Sequence, residues 1–83
     1  MSAQERFDAA KVAVQELGDQ DNTTKLRLYG LFKQATAGNA TGSRPGRFDP
    51  VGRAKFDAWT SLAGMSTEDA MNAYADEVEA RSA

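Results

Sequence analysis

The sequence predicts an all-α fold, a four-helix arrangement, on three observations. Four times a capping residue precedes a stretch in which apolar residues recur at helical spacing. Alternation of apolar and polar residues never persists over four positions, so no strand is expected. Glycines stand where the periodic stretches stop, at Gly18, Gly38 and Gly64.

The first helix starts at Ser2 and Glu5, whose spacing reads as a capping box. Phe7, Ala10, Val14 and Leu17 then mark its apolar stripe up to Gly18. The stretch DQDNTT supplies turn and cap residues for the second helix, which Gly38 ends. One of its stripes carries Leu28, Phe32 and Ala35, and the adjoining one Leu26, Tyr29 and Lys33. The segment GNATGSRPGRFD has no periodicity and reads as a loop of about a dozen residues, a length usually functional or disordered. Asp49 followed by Pro50 opens the third helix as N-cap and first-turn proline. Lys55, Trp59 and Leu62 follow one another on it, with Gly64 as the stop. Ser66 and Asp69 form a weaker capping box before a fourth helix striped by Met71, Tyr74 and Val78. Trp59 is expected in the core, Phe7 and Phe32 at least partly so. Tyr29 and Tyr74 are expected at the edge of a groove, where a phenol can stay wet.

Residues 1–83 are expected to form a single domain with no repeats. A domain this small buries only about 60% of its unfolded surface, which leaves a thin stability margin. The chain has no cysteine and no histidine. That excludes disulfides, thiol nucleophiles, Ser-His or Cys-His catalysis, and zinc sites built from thiolate or imidazole. No catalytic residue and no metal site are expected, and the sequence points away from an enzyme. The amino terminus is polar and charged, and no apolar run approaches the roughly 20 residues that span a bilayer. A cytoplasmic, monomeric protein without a membrane segment is the expectation.

Charge is unevenly distributed. Residues 25 to 55 hold seven basic side chains against the single acid Asp49, a local +6 in a chain of net charge −2. A basic centre in an acidic protein points to a local anionic partner, although such a run is often a solvated face. Two ammonium groups and a tyrosine hydroxyl converging on one spot would hold a phosphate without a glycine-rich loop. Rings beside them could stack on a base.

YGLFKQATAG at residues 29 to 38, RPG at 44 to 46 and AKFDAW at 54 to 59 together resemble the acyl-CoA-binding protein family. The resemblance runs from FDAA at residue 7 to the last helix. It implies an up-down-down-up four-helix bundle that carries medium- and long-chain fatty acyl-CoA, without catalysis and with no cofactor beyond that ligand. It also implies roles for particular residues. Tyr29, Lys33 and Lys55 look like the holders of the ribose 3′-phosphate, and Phe32 like a ligand-contacting aromatic. Tyr74 resembles the tyrosine beside the nucleotide, and Leu26 a position touching the acyl chain. Val51 and Gln15 stand where many members carry lysine, and Phe56 where tryptophan is common. Arg53, Lys11 or Lys25 could compensate for the missing cations. Two other classes remain open, a small nucleic-acid-binding module using the basic centre and a protein-interaction bundle. A pI near 5.0 weighs against nucleic acid as the partner.

Overall fold

The computed structural model describes residues 1–82; the last position of the expected domain, residue 83, lies outside them. Four α-helices follow one another: α1 (Ala3–Ala13), α2 (Asn22–Ala37), α3 (Pro50–Thr60) and α4 (Thr67–Ser82). No strand occurs among the described residues. Every start is closed by the side chain that local chemistry favours. Ser2 Oγ accepts from the Glu5 amide at 3.1 Å, and Glu5 Oε1 accepts from the Ser2 amide at 3.0 Å. Asp21 caps α2 by accepting from Thr24 N at 2.8 Å, and Asp49 caps α3 by accepting from Gly52 N at 3.0 Å. Ser66 Oγ accepts from Asp69 N at 3.0 Å at the head of α4.

Two ends differ from the sequence reading. Helix α1 stops at Ala13, and Val14–Glu16 tighten into a 3₁₀ turn before Leu17 turns extended. The tighter turn keeps both Val14 and Leu17 against the core while the chain leaves for the α2 cap. Helix α3 stops at Thr60, and its last turns are closed by i+3 bonds from the amides of Leu62 and Ala63. Gly38 and Gly64, at φ 78° and 92°, make the reversals that glycine adopts without a Cβ penalty.

Side-chain contacts fix the directions of the helices. The beginnings of α1 and α4 face each other at Ser2 and Met71, and their ends at Ala13 and Val78, so the two run parallel. Helix α2 is antiparallel to α4, since Arg27 near its start meets Glu77 while Gln34 reaches the Met65 carbonyl. Helix α3 is parallel to α2, with Leu26 beside Val51 at one end and Trp59 bonded to Gly38 at the other. This is the up-down-down-up order.

The core belongs to α1, α2 and α4. Phe7, Leu31 and Val78 are its largest fully buried apolar side chains, and the Phe7 and Tyr74 rings meet edge to face at 5.1 Å. Helix α3 buries no residue of its own. It lies close on α2 because Gly30 has no side chain; a Cβ there would stand 2.7 Å from the Ala58 carbonyl oxygen. A polar clamp ties the loops together. The fully buried Gln34 donates from Nε2 to Asn39 Oδ1 at 2.9 Å and to the Met65 carbonyl at 2.8 Å. Asn39 Oδ1 also accepts from Gly64 N at 2.9 Å.

Candidate ligand-binding site

On α2, Tyr29 and Lys33 stand one turn apart; on α3, Lys55 and Trp59 repeat that spacing in the opposite order. Because the two helices run parallel, the pairs interlock. Lys55 Nζ lies 5.4 Å from the centre of the Tyr29 ring, and Lys33 Nζ lies 4.8 Å from the Trp59 ring. Each ammonium group thus rests on an aromatic face of the neighbouring helix, a contact worth about 0.5–1 kcal/mol at an exposed site. The Trp59 indole is fixed from behind, donating from Nε1 to the Gly38 carbonyl at 2.7 Å.

The basic centre is less uniform than its sequence. Lys25 pairs with Asp19, Arg27 with Glu77 and Arg44 with Asp57. The Arg44 guanidinium holds the Asp57 carboxyl below its ordinary range, through two hydrogen bonds of 2.9 and 2.7 Å. Among the described residues Lys33, Arg47, Arg53 and Lys55 have no carboxylate partner. Of the residues that could replace the absent lysines, Lys11 is engaged with Asp8 and Lys25 with Asp19, which leaves Arg53.

Beside Lys55 an apolar cavity of about 330 Å³ opens between the starts of α2 and α3. Leu26, Pro50, Val51 and Ala54 line it, together with the stems of Lys25 and Lys55. Val51 is therefore a wall of this cavity. A larger opening of about 510 Å³ lies between the beginnings of α1 and α4. Its walls hold Gln4, Asn72 and the acidic Glu68 but no basic side chain, so it suits an anion poorly.

Two aromatic positions depart from expectation. Tyr74 was expected at a groove edge, yet it is only 5% exposed and lies in the core against Phe7. Its neighbours on α4 are the small Ala70, Ala75 and Val78, so the tyrosine ring supplies the bulk that fills the space. Burial pushes its phenol above the ordinary value. Trp59, expected in the core, is half-buried and serves as the platform under Lys33. Phe32 stands at the rim, 38% exposed, its ring 5.9 Å from Phe7 and 6.3 Å from Tyr74. The structure thus brings Tyr29, Lys33 and Lys55 together on the α2–α3 face, with Leu26 in the adjoining cavity. Phe32 and Tyr74 form a separate aromatic group with Phe7.

A family profile described as "Acyl CoA binding protein" matches residues 4–78. The chain belongs to the acyl-CoA-binding protein family. An acyl-CoA-binding protein homolog of Manduca sexta is 52% identical over 82 residues, covering 95% of this chain and 90% of the relative. Acyl-CoA-binding domain-containing protein 5 of Xenopus laevis is 48% identical over 92% of this chain, which spans only 17% of that protein's length. The crystal structure of Oryza sativa acyl-CoA-binding protein 2 superposes with a TM-score of 0.92 at 42% identity, covering 96% of this chain and 90% of that one. The solution structure of a Babesia bovis acyl-CoA-binding protein gives 0.82 at 37% identity, over 99% and 94% of the two chains. These likenesses span all four helices of the family fold.

The pairing of Lys33 with Trp59 was missed from the sequence. The matching one-turn spacings of Tyr29–Lys33 and Lys55–Trp59 were the available signal, once the helices were known to be parallel.

Proposed function

We propose that this chain is a non-catalytic carrier domain for medium- and long-chain fatty acyl-CoA. The observation that carries the reading is the interlocked lysine–ring pair opening directly onto an apolar cavity. Lys33, Lys55 and the Tyr29 hydroxyl form a cationic, hydrogen-bonding corner suited to the 3′-phosphate. Neither ammonium group has to give up a carboxylate to bind it. The exposed face of Phe32 is available for the adenine, with Tyr74 behind it as support. Leu26, Val51 and Ala54 receive the acyl chain, each buried methylene contributing about 0.8 kcal/mol. The cavity falls at the lower end of the ~300–1,000 Å³ range typical of ligand sites. Phosphate and chain together reach an affinity that neither supplies alone. The ion pairs of Lys25, Arg27 and Arg44 weaken the competing nucleic-acid reading, since among the described residues they leave four of the seven central cations without a carboxylate.

Calorimetry tests the reading with three ligands, palmitoyl-CoA, its 3′-dephospho analogue and palmitate. The expected order is tight, much weaker and poor. A ligand that binds only the folded state at a hundredfold excess over Kd stabilises by about 2.7 kcal/mol, so palmitoyl-CoA should also raise Tm by several degrees. Equal affinity for all three ligands, or no Tm shift at saturating sub-micellar palmitoyl-CoA, would overturn it.

A further inference from the structure

The apolar cavity has a definite far end. It begins beside Lys55 and runs toward the starts of α2 and α3, away from the Tyr29–Lys33 corner. Asn22, the first α2 residue on its wall, stands seven positions before Tyr29, about 10 Å along the helix axis. The volume of about 330 Å³ fits that length. A methylene takes much the same space as a water molecule in the liquid, ~30 Å³, so the cavity holds about ten of them.

Leu26, Pro50, Val51 and Ala54 make the walls apolar, whereas Asn22 and Lys25 make the far end polar. Lys25 lies in the first turn of α2, where a cation opposes the helix dipole. Its pair with Asp19 at 3.1 Å offsets that opposition and keeps the ammonium in water, with the side chain 54% exposed. The lysine stem can line a hydrocarbon, but the head cannot enter one without losing its hydration. Carbons that pass this end meet solvent and a charge in place of a wall.

We infer that Lys25, together with Asn22, sets a chain-length limit near twelve carbons. A dodecanoyl chain, with its ten methylenes, fills the cavity; longer saturated chains are held without further gain. The limit presupposes the carrier reading, in which the phosphate corner fixes the other end of the ligand. Its consequence is a carrier that discriminates sharply among shorter chains and hardly at all among longer ones.

Calorimetry with decanoyl-, dodecanoyl-, myristoyl- and palmitoyl-CoA, each below its micellar concentration, tests the limit. On the wild-type chain the step from decanoyl to dodecanoyl should tighten binding about tenfold, as two newly buried methylenes do. The two later steps should together add less than about threefold. Lys25→Leu keeps a good helix former on an exposed position and extends the apolar wall. It should tighten palmitoyl-CoA about tenfold more than it tightens decanoyl-CoA. A wild-type affinity that climbs about tenfold at every step to palmitoyl overturns the limit, with or without the variant. So does a Lys25→Leu protein in which decanoyl- and palmitoyl-CoA shift equally. Absence of affinity for all four ligands removes the carrier reading and the limit with it, an outcome distinct from both.

Discussion

Helices α4 and α3 are built on opposite terms. Helix α4 buries Ala70, Tyr74, Ala75 and Val78, and its carboxylates Asp76, Glu77 and Glu79 receive Arg6 and Arg27 from the other helices. Helix α3 has no fully buried residue, and it is held by a close crossing at Gly30, one indole hydrogen bond and two lysine–ring contacts. One helix anchors the fold, and the other carries the candidate site on contacts that a ligand can share. Helix α2 lies between them and serves both, with Leu28 and Leu31 turned to the core and Tyr29 and Lys33 turned to α3. Stability and affinity are therefore expected to separate by side of the molecule.

The largest effect should come from the anchored side. Phe7→Ala removes a fully buried ring that packs on Tyr74, and should cost about 3–5 kcal/mol. At about 4–8 °C per kcal/mol for a domain of this size, that lowers Tm by tens of degrees. Urea unfolding measures it directly; a loss below about 1 kcal/mol would show that the aromatic cluster is not the anchor.

On the other side, Lys33→Ala should cost palmitoyl-CoA about 1.5–3 kcal/mol of binding, roughly ten- to a hundredfold. Stability should change by no more than about 1 kcal/mol, the worth of the lost contact with Trp59. The 3′-dephospho ligand should lose much less, and calorimetry on both ligands isolates the contact. Equal losses for both would return Lys33 to the solvated surface.

Gly30→Ala sharpens the comparison because it strikes the joint between the two sides. The new methyl must displace the Ala58 backbone, at a cost of about 1–3 kcal/mol. Shifting α3 also pulls Lys55 from Tyr29 and opens the Leu26 cavity, so affinity should fall together with stability. A stable variant with weakened binding would show that α3 is only tethered; a variant normal in both would contradict the close crossing.

Acid gives the smallest and most distributed effect. The carboxyls of Glu5 and Asp21 lie below their ordinary values through hydrogen bonds at helix starts, that of Asp8 through Lys11 and Gln4, and that of Asp57 through Arg44. A carboxyl whose folded pKa is depressed stabilises above its unfolded value, about 4, and loses that contribution as pH falls through the folded one. Helicity followed by circular dichroism should therefore decline below pH about 4. Arg44→Gln should move only the α3 contribution and leave the caps of α1 and α2 intact.

Much of this architecture could be read from local chemistry, because caps and stops act within a few residues. Ser2 with Glu5 and Asp49 with Pro50 form the interactions that their spacing implies, and Ser66 with Asp69 forms one of the two bonds of a capping box. The end of α1 was not legible, since the stripe through Val14 and Leu17 is satisfied equally by a 3₁₀ turn against the core. Tyr74 and Trp59 were misplaced for a related reason. Which ring fills a core depends on the size of its neighbours across helices, and Ala70 and Ala75 make room for the tyrosine. The basic centre was countable from the sequence but its free cations were not, because Arg27–Glu77 spans 50 positions and Arg44–Asp57 spans 13. The lysines of the candidate site stood out through their spacing from aromatic residues, a property that survives without knowledge of the tertiary contacts.

Trp59 is the single tryptophan of the chain, and its ring carries the Lys33 ammonium on one face while its N–H is tied to Gly38. The emission of an indole responds to the charges and contacts around its ring, and here a unit charge stands 4.8 Å from the ring centre. A bound phosphate that neutralises Lys33 or draws it off the ring changes the colour and yield of the emission. The protein therefore contains its own optical gauge of site occupancy, needing no dye and reading one known position. Helices α1 and α4, which hold no tryptophan, stay dark when the indole alone is excited.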